Sequence, residues 1–274
     1  MSAREVGLFP ERGEQGAGDA VSRDTKLPPL DAHGHFDPQR ASEELLASGC
    51  VLAGTLSPEE WDVASSRRDP FVAWGIGCHP RLPRAQAAFD PRRFRAFAEE
   101  TAVISEIGLD AGSRVPIDVQ LGTFREILEF VAETPRLVSI HSYAATGLVL
   151  DEFERRPIRV PILHWWTGSA AETRRAVELG CLFSVHSQVA RRSVHHTAIP
   201  KDRLLVESDH GVNDPPAAIP CRIEWVEHLV SQHLKCQRSD VRALAWANLR
   251  RIVDEVGVRN LLPDGICRVL EWEE

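Results

Sequence analysis

Short apolar runs alternate with longer amphipathic segments along most of this chain. The runs are rich in Val, Ile and Leu, which is typical of strands buried on both faces of a parallel sheet. They occupy residues 28–33, 50–55, 71–77, 102–108, 136–141, 160–164, 181–186 and 203–208. Helices are predicted between and after them, at 58–68, 91–100, 116–133, 169–180, 220–234 and 239–256.

Eight strands alternating with helices predict a parallel α/β fold, and eight is the number that closes a (β/α)8 TIM barrel. A doubly wound open sheet is the alternative, but neither GxGxxG nor GxxxxGK followed by Ser or Thr comes after the first run. Residues 1–28 lack hydrophobic periodicity, so we expect a disordered N-terminal leader there. The remainder, 29–274, is predicted to form one barrel domain, for which roughly 250 residues are typical.

Composition and charge narrow the class of protein. The chain has 274 residues, of which 43% are apolar and 26% charged, and this excludes a disordered, collagenous or disulfide-scaffold polypeptide. Its net charge of −8 argues against coating nucleic acid through a whole-surface field, although a local basic groove stays possible. No stretch approaches the roughly 20 apolar residues of a membrane span, so no membrane partner is expected.

Cysteine usage and the N-terminus indicate the compartment. The six cysteines form no CxxC pair, and the N-terminus lacks the basic-then-apolar layout of a secretory signal. We therefore expect reduced, mostly buried thiols in a cytoplasmic protein.

Histidines and carboxylates stand at the ends of the predicted strands. The first run leads into His33 and His35, which point to the same side of an extended segment because they are two residues apart. Further polar residues at or beside strand ends are His79, Glu106, His141, His164 and Asp209. A single buried histidine is usually a core residue, but the carboxyl ends of barrel strands share one rim, and so many polar groups there predict a metal site.

Imidazole and carboxylate ligands suit Zn²⁺, Mn²⁺ or another divalent ion such as Mg²⁺, and a bridging carboxylate suits a pair of ions. Two neighbouring ions can activate a water molecule and stabilise a leaving oxygen. We therefore predict two divalent metal ions and a hydrolytic reaction.

The motifs resemble those of the TatD family of metal-dependent hydrolases, which have amidohydrolase-like barrels. DAHGHFD resembles the opening DxHxH motif, GCHP resembles GxHP, and SEIGLD resembles GEIGLD. IHSYAA, ILHWWTGS and LLVESD occupy the places of the HxR, HCFSG and LLETD segments. The resemblance runs from Asp31 to about Gly257.

This resemblance implies roles for the polar residues. One ion would be bound by His33, His35, Glu106 and Asp209, and the other by Glu106, His141 and His164. Glu106 would bridge the ions, Asp209 would orient or deprotonate the attacking water, and His79 would face the substrate phosphate. TatD-like proteins are typically DNA nucleases that often trim from the 3′ end, and some relatives hydrolyse D-aminoacyl-tRNA esters.

The chain departs from the family pattern beside these motifs. Tyr143 replaces the usual arginine, His186 stands where asparagine is more familiar, and His210-Gly211 replaces Ala-Pro. The wording HSYAAT and HWWTGS resembles TatD-like members of Qat-type anti-phage gene clusters, which implies a nuclease that works with protein partners. Tyr143 and the acidic balance favour the alternative, hydrolysis of an aminoacyl ester, amide or lactone. A third possibility is a non-catalytic barrel subunit, but the full ligand set argues against it.

Substrate contacts are predicted on the same rim. Trp165 directly follows a predicted ligand and would stack on a base, whereas core packing is the structural alternative, and we expect either Trp165 or Trp166 to be buried. Arg81, Arg191 and Arg192 lie in loops after predicted strands, where a nucleic-acid backbone would approach.

Overall fold

The eight apolar runs form eight parallel strands that follow one another around a barrel. The computed structural model describes residues 27–46, 49–190, 198–211 and 223–272. The strands are β1 (Leu30–Gly34), β2 (Cys50–Gly54), β3 (Val72–Ile76), β4 (Val103–Gly108), β5 (Leu137–His141), β6 (Pro161–Leu163), β7 (Leu182–Val185) and β8 (Leu204–Val206). Each pairs in parallel with the next, in the order β1 to β8. The prediction of a TIM barrel is confirmed.

The ends of β1 and β8 close the barrel. The backbone N–H of Asp209 donates to the carbonyl of His33 at 3.0 Å, and the N–H of His35 donates to the carbonyl of His210 at 2.7 Å. The N–H of Ser208 donates to Asp31 Oδ1 at 2.9 Å. The segments that join the first strand to the last therefore carry three predicted ligands, His33, His35 and Asp209.

Helices surround the strands. They are α1 (Ser42–Leu46), α2 (Pro58–Ala64), α3 (Pro83–Ala87), α4 (Pro91–Ala98), α5 (Ile117–Glu133), α6 (Thr146–Arg155), α7 (Ala170–Glu178), α8 (Ser187–Ala190), α9 (Ile223–Leu234), α10 (Arg238–Val256) and α11 (Asp264–Leu270). Local sequence explains several of their ends: Ser57 caps α2 ahead of Pro58, and Gly257, with φ of 80°, ends α10 in the left-handed conformation. None of the helices in the described ranges is long and apolar enough to cross a membrane.

The core lies inside the barrel and between its strands and helices. Every residue of β1, β2, β3 and β4 is buried, as expected when both faces of a parallel sheet are covered. Polar residues interrupt this core mainly toward the carboxyl ends of the strands. The fold therefore directs its buried polar groups to one rim.

The base of the barrel includes the end of the predicted leader. Leu27 is buried, and its carbonyl accepts a hydrogen bond from Arg242 Nη1 at 3.2 Å. The carbonyl of Pro28 accepts from Trp246 Nε1 at 2.8 Å. Residues 1–26, the rest of that leader, lie outside the described residues.

A buried ion pair joins α9 to α10, and its contribution to stability can be measured. The Arg242 guanidinium holds the Glu227 carboxylate through two hydrogen bonds, of 2.8 and 2.7 Å, and Glu227 is fully buried. Arg242→Met should lower the free energy of unfolding by about 3–5 kcal/mol, because it leaves a buried carboxylate uncompensated. Urea denaturation followed by circular dichroism measures this change.

The matched control is Arg156→Met, which removes a guanidinium paired with Glu129 where both side chains are about half exposed. That change should cost less than about 1 kcal/mol. Equal decreases in the free energy of unfolding of the two variants would contradict a special contribution of the buried pair to stability.

Candidate metal centre

Irregular backbone aims the predicted ligands into the mouth of the barrel. The pairing register shifts in β1 between Asp31 and Gly34, and in β4 between Ile104 and Ile107. Such irregularities turn a side chain away from regular alternation. Glu106 lies within the second shift and has a φ of 53°, in the left-handed region that non-glycine residues rarely adopt. Asp209 has a similar φ of 48°.

Four buried side chains converge on one point. This first group consists of His33, Glu106, His164 and Asp209, each of which offers a possible metal-ligand atom, and these atoms all lie within 4.8 Å of one another. His33 Nε2 lies 3.2 Å from Glu106 Oε1 and 3.6 Å from Asp209 Oδ1. His164 Nε2 lies 2.8 Å from the same Glu106 oxygen, and its ring stacks on that of His33 with 4.1 Å between centroids. His164 thus stands with His33, whereas the resemblance implied that the two would hold different ions.

His35 adjoins this group. Its Nε2 lies 3.1 Å from His33 Nε2 and 3.5 Å from Asp209 Oδ1. Its Nδ1 is 2.7 Å from the carbonyl of Gly54, which fixes the ring with Nε2 facing the centre. The two histidines of the HxH motif therefore do converge, as their spacing predicts.

A second group shares Glu106 and contains His79 and His141. His79 Nε2 lies 2.8 Å from Glu106 Oε2, and His141 Nδ1 lies 3.7 Å from it. The N–H of Arg81 donates to His79 Nδ1 at 3.0 Å. A neutral His79 therefore carries its hydrogen on Nε2 and presents a donor to the centre, because Nδ1 is already an acceptor. This geometry accords with a residue that faces substrate oxygen.

Further polar residues hold the histidines from behind. His33 Nδ1 is 2.8 Å from Ser139 Oγ, and His141 Nε2 is 3.0 Å from Asp110 Oδ2. Glu207 accepts from the Trp165 N–H at 2.6 Å and from the Ser184 hydroxyl. The sequence motifs predict no role for Asp110 or Glu207, although SEIGLD contains the first and LLVESD the second.

The pKa values of the two central carboxyl groups, Asp209 and Glu106, shift in opposite directions. Burial raises the pKa of Asp209 well above its ordinary value, and the nearby carboxylates of Glu106 and Glu207 add to this. Burial would also raise the pKa of Glu106, but the imidazoles of His79 and His164 outweigh it and hold that pKa well below normal. For His35, burial and His33 lower the pKa to about 3, so this imidazole is neutral at physiological pH.

These residues fit a divalent cation. Glu106 Oε2 and Asp209 Oδ1 are buried and have no aligned hydrogen-bond donor among the described residues. Such groups are costly unless a cation compensates them. Ligand atoms about 2.0–2.2 Å from a shared ion lie at most about 4.4 Å apart. The distances of 2.8, 3.2 and 3.6 Å between ligand atoms of the first group fall within this limit. Imidazole nitrogen with carboxylate oxygen is a donor set that Zn²⁺ and Mn²⁺ accept.

A cleft of about 610 Å³ leads from the rim to both groups. Its walls include Leu82, Tyr143 and Trp165, and Glu106 and Asp209 are among the residues that line it. Tyr143 is 59% exposed, so it stands free at the mouth. The site therefore combines a polar floor with partly aromatic walls.

The predicted substrate residues occupy different environments. Trp165 is half-buried in the cleft wall and its ring lies 4.1 Å from that of His186, whereas Trp166 is buried and donates to Thr173 Oγ1 at 3.0 Å. The expectation that one of the two tryptophans is buried is confirmed. Arg81 lines the cleft with its Nε 3.4 Å from Asp110 Oδ2. Arg191 and Arg192 lie outside the described residues.

Comparison with known proteins identifies the family. A sequence model of the family described as TatD related DNase matches residues 30–254. The chain belongs to the TatD family. A Mycobacterium tuberculosis protein described as an uncharacterized metal-dependent hydrolase TatD is 25% identical over 261 residues, which cover 81% of this chain and 96% of that one.

Solved TatD and amidohydrolase structures share the fold. A TatD homologue from Escherichia coli K12 superposes with a TM-score of 0.70 at 19% identity, covering 81% of this chain and 96% of that one. An uncharacterized amidohydrolase from Saccharomyces cerevisiae gives 0.62 at 16% identity, covering 82% and 100%. Family membership and the buried cluster together make this TatD protein a metal-dependent hydrolase.

The raised pKa of Asp209 predicts a cost in the metal-free protein. Between the two pKa values of Asp209, the unfolded chain has this carboxyl ionised while the folded protein keeps it protonated. The free energy of unfolding therefore falls as the pH rises from the unfolded-state pKa of about 3.9 toward the raised folded-state pKa. With metal removed by chelator, Asp209→Asn should raise the melting temperature at neutral pH by about 2–4 °C, equivalent to ~1 kcal/mol. Scanning calorimetry across a pH series measures the change.

The pH series also separates charge from backbone preference, because asparagine tolerates the left-handed conformation well. The gain should disappear at acidic pH, where Asp209 is itself protonated. Glu126→Gln, on an exposed residue in the middle of α5, is the control and should leave the melting temperature unchanged. A gain that persists unchanged in acid would contradict the electrostatic explanation.

Proposed function

We propose that this protein is a metal-dependent deoxyribonuclease that hydrolyses the phosphodiester bonds of single-stranded DNA, working from the 3′ end. The observation that carries the proposal is that Glu106 belongs both to the four-residue group and, with His141, to a second group at the floor of one cleft. Two ions sharing a carboxylate suit the displacement of one oxygen by another at phosphorus. The TatD related DNase model that matches the chain supports the same reaction.

The six predicted ligands, His33, His35, Glu106, His141, His164 and Asp209, would hold the ions. When bound, divalent ions lower the pKa of water and stabilise charge on phosphate oxygens. Asp209 supplies a buried carboxylate with one oxygen free of hydrogen-bond donors in the described part of the chain. It is suited to orient the attacking water and accept its proton.

His79 serves the substrate. Its Nε2–H faces the centre because the Arg81 N–H occupies Nδ1. A phosphate oxygen entering the cleft accepts this hydrogen bond, which holds the scissile phosphate over the centre and stabilises the charge that develops on it. Arg81, half-exposed at the same wall, adds a positive charge on the side from which the backbone enters.

Trp165 provides a stacking surface for a base. Its backbone is fixed by the hydrogen bond from its N–H to Glu207, in spite of a φ of 41°. A single strand needs such aromatic contacts, since every base has a flat face. The cleft volume of about 610 Å³ lies in the range of small-molecule pockets and suits the end of a strand better than a duplex.

The segments HSYAAT and HWWTGS support a role in cytoplasmic anti-phage defence, together with partner proteins from the same gene cluster. In this role Arg191 and Arg192 would make additional contacts to the DNA backbone. Comparing the neighbouring genes tests this role, and neighbours unrelated to defence would contradict it.

The nuclease proposal is tested by Glu106→Gln. Purified wild type with Mn²⁺, Mg²⁺ or Zn²⁺ should shorten 5′-labelled single-stranded DNA stepwise from its 3′ end. The variant should lose activity at least about 100-fold, because even partners behind metal ligands are worth 10–100-fold. Gel analysis of the labelled strand gives both the rate and the polarity.

The control is Glu126→Gln, the same change on an exposed position of α5. It should cleave like wild type. Equal cleavage by wild type and Glu106→Gln would show that a contaminant, rather than this site, acts on DNA.

A second candidate reaction is hydrolysis of an aminoacyl ester, amide or lactone. It is favoured by the cleft lining, in which Arg81 is the one guanidinium among the described residues and lies close to Asp110. Wild type and Glu106→Gln should both be assayed with aminoacyl-tRNA and with ester and lactone substrates. Activity on these that depends on Glu106, without activity on DNA, would replace the nuclease proposal.

The stacking role predicts a selective effect of Trp165→Ala. The variant should raise KM for single-stranded DNA about 5- to 150-fold, because one base stack is worth roughly 1–3 kcal/mol, and change kcat much less. Trp165→Phe, which keeps an aromatic face, should recover most of the loss. Trp272→Ala, at an exposed tryptophan outside the cleft, is the control. Unchanged KM in Trp165→Ala would contradict stacking.

A further inference from the structure

A second buried carboxylate stands behind His141, on the side away from Glu106. Asp110 is fully buried, and its Oδ2 lies 3.0 Å from His141 Nε2. Its other oxygen accepts from the N–H of Gly112 at 2.7 Å. Arg81 Nε, a group that only donates, lies 3.4 Å from the same Oδ2. Both oxygens of Asp110 therefore face donor groups, and Asp110 acts toward His141 as a hydrogen-bond acceptor.

Gln120 fixes the backbone that carries this carboxylate. The N–H of Asp110 donates to Gln120 Oε1 at 2.7 Å, and Gln120 Nε2 donates to the carbonyls of Asp110 and Val115 at 3.1 and 2.8 Å. Gln120 is itself 1% exposed and belongs to α5. Two hydrogen bonds thus tie the backbone of Asp110 to a long helix, and a third ties Val115 to the same side chain.

His141 is oriented unlike its neighbours. His33, His35 and His164 approach the carboxylates of the centre through Nε2, whereas His141 approaches Glu106 through Nδ1. Its Nε2 consequently points to Asp110. Because Asp110 only accepts, the hydrogen of a neutral His141 resides on Nε2, and the lone pair on Nδ1 faces Glu106. A ring in the other tautomer would present N–H and could not bind a cation.

We propose that Asp110, held in place by Gln120, is a positioning residue that sets the tautomer of His141 and thereby the affinity of the metal position formed by His141 with Glu106. The inference rests on the proposed function in taking His141 as a metal ligand. His164 has no equivalent support, since its Nδ1 lies 3.7 Å from Glu207 and has no hydrogen-bond partner among the described residues. Partners behind histidine ligands usually change metal affinity by 10–100-fold.

The first test reads the tautomer in metal-free protein. In Asp110→Asn, one carboxylate oxygen is replaced by an amide nitrogen of similar size. The remaining oxygen still accepts from the N–H of Gly112, so the new NH2 group faces His141 as a donor. Long-range ¹H–¹⁵N spectra at alkaline pH should show the His141 hydrogen on Nε2 in wild type and a shift toward Nδ1 in the variant. The His141 signals are assigned by their loss in His141→Gln. The same tautomer in both proteins would overturn the proposal.

The second test is calorimetric titration with Zn²⁺ or Mn²⁺. Asp110→Asn should weaken one of the two binding events about 10–100-fold and leave the other unchanged. Gln120→Met should give a smaller loss of the same event. Asp118→Asn, an exposed carboxylate on α5, should bind like wild type. Wild-type affinities in Asp110→Asn would contradict the proposal.

The two tests separate this inference from the proposed substrate. If wild type fails to cleave DNA while Asp110→Asn changes the tautomer and the affinity, the nuclease proposal falls and the positioning role stands. If wild type cleaves DNA and Asp110→Asn matches it in both tests, the positioning role alone falls. The tautomer of His141 is measured in metal-free protein, so this result tests the positioning role regardless of how many ions the wild type binds. A native-like spectrum shows that the variant has folded.

Discussion

The closure of the barrel between its first and last strands is the contact on which the rest of the site depends. Two backbone hydrogen bonds make it, from Asp209 to the carbonyl of His33 and from His35 to the carbonyl of His210. Three of the four joined residues, His33, His35 and Asp209, are themselves candidate ligands. The same bonds that complete the sheet therefore set the distance between the histidines of β1 and the carboxylate after β8. A slip in this register would dismantle the centre as well as the barrel.

The buried carboxylates divide according to their hydrogen bonds. Asp31 accepts from the N–H and hydroxyl of Ser208, and Glu207 accepts from Trp165 and Ser184, so both act as fixed braces for the backbone of the rim. Glu106 and Asp209 each keep a buried oxygen that no described donor satisfies. The satisfied pair shapes the rim and the unsatisfied pair attracts a cation. This division explains how so much negative charge is tolerated within one barrel end.

Strand periodicity was enough to predict the barrel, because the number and order of buried runs determine the topology, and motif residues at strand ends pointed to the rim. The grouping of ligands was beyond such reasoning. His164 stacks on His33 because of ring orientations set across the barrel, and the shifts in β1 and β4 rotate side chains by an amount that no alternation rule contains. Sequence also predicted one buried tryptophan but could not choose between them, since the left-handed backbone of Trp165 depends on the distant Glu207.

Three cleft residues, Glu106, Trp165 and Asp209, share that left-handed backbone. Each such conformation costs of the order of 1–3 kcal/mol in a residue other than glycine, and it persists only where its surroundings enforce it. The fold alone would be better served by glycine or asparagine at these positions. Natural selection on the chemistry therefore has to act continuously against selection on stability. In a gene copy released from its reaction, these three codons should be among the first to drift, so their retention across a lineage would report an enzyme still in use.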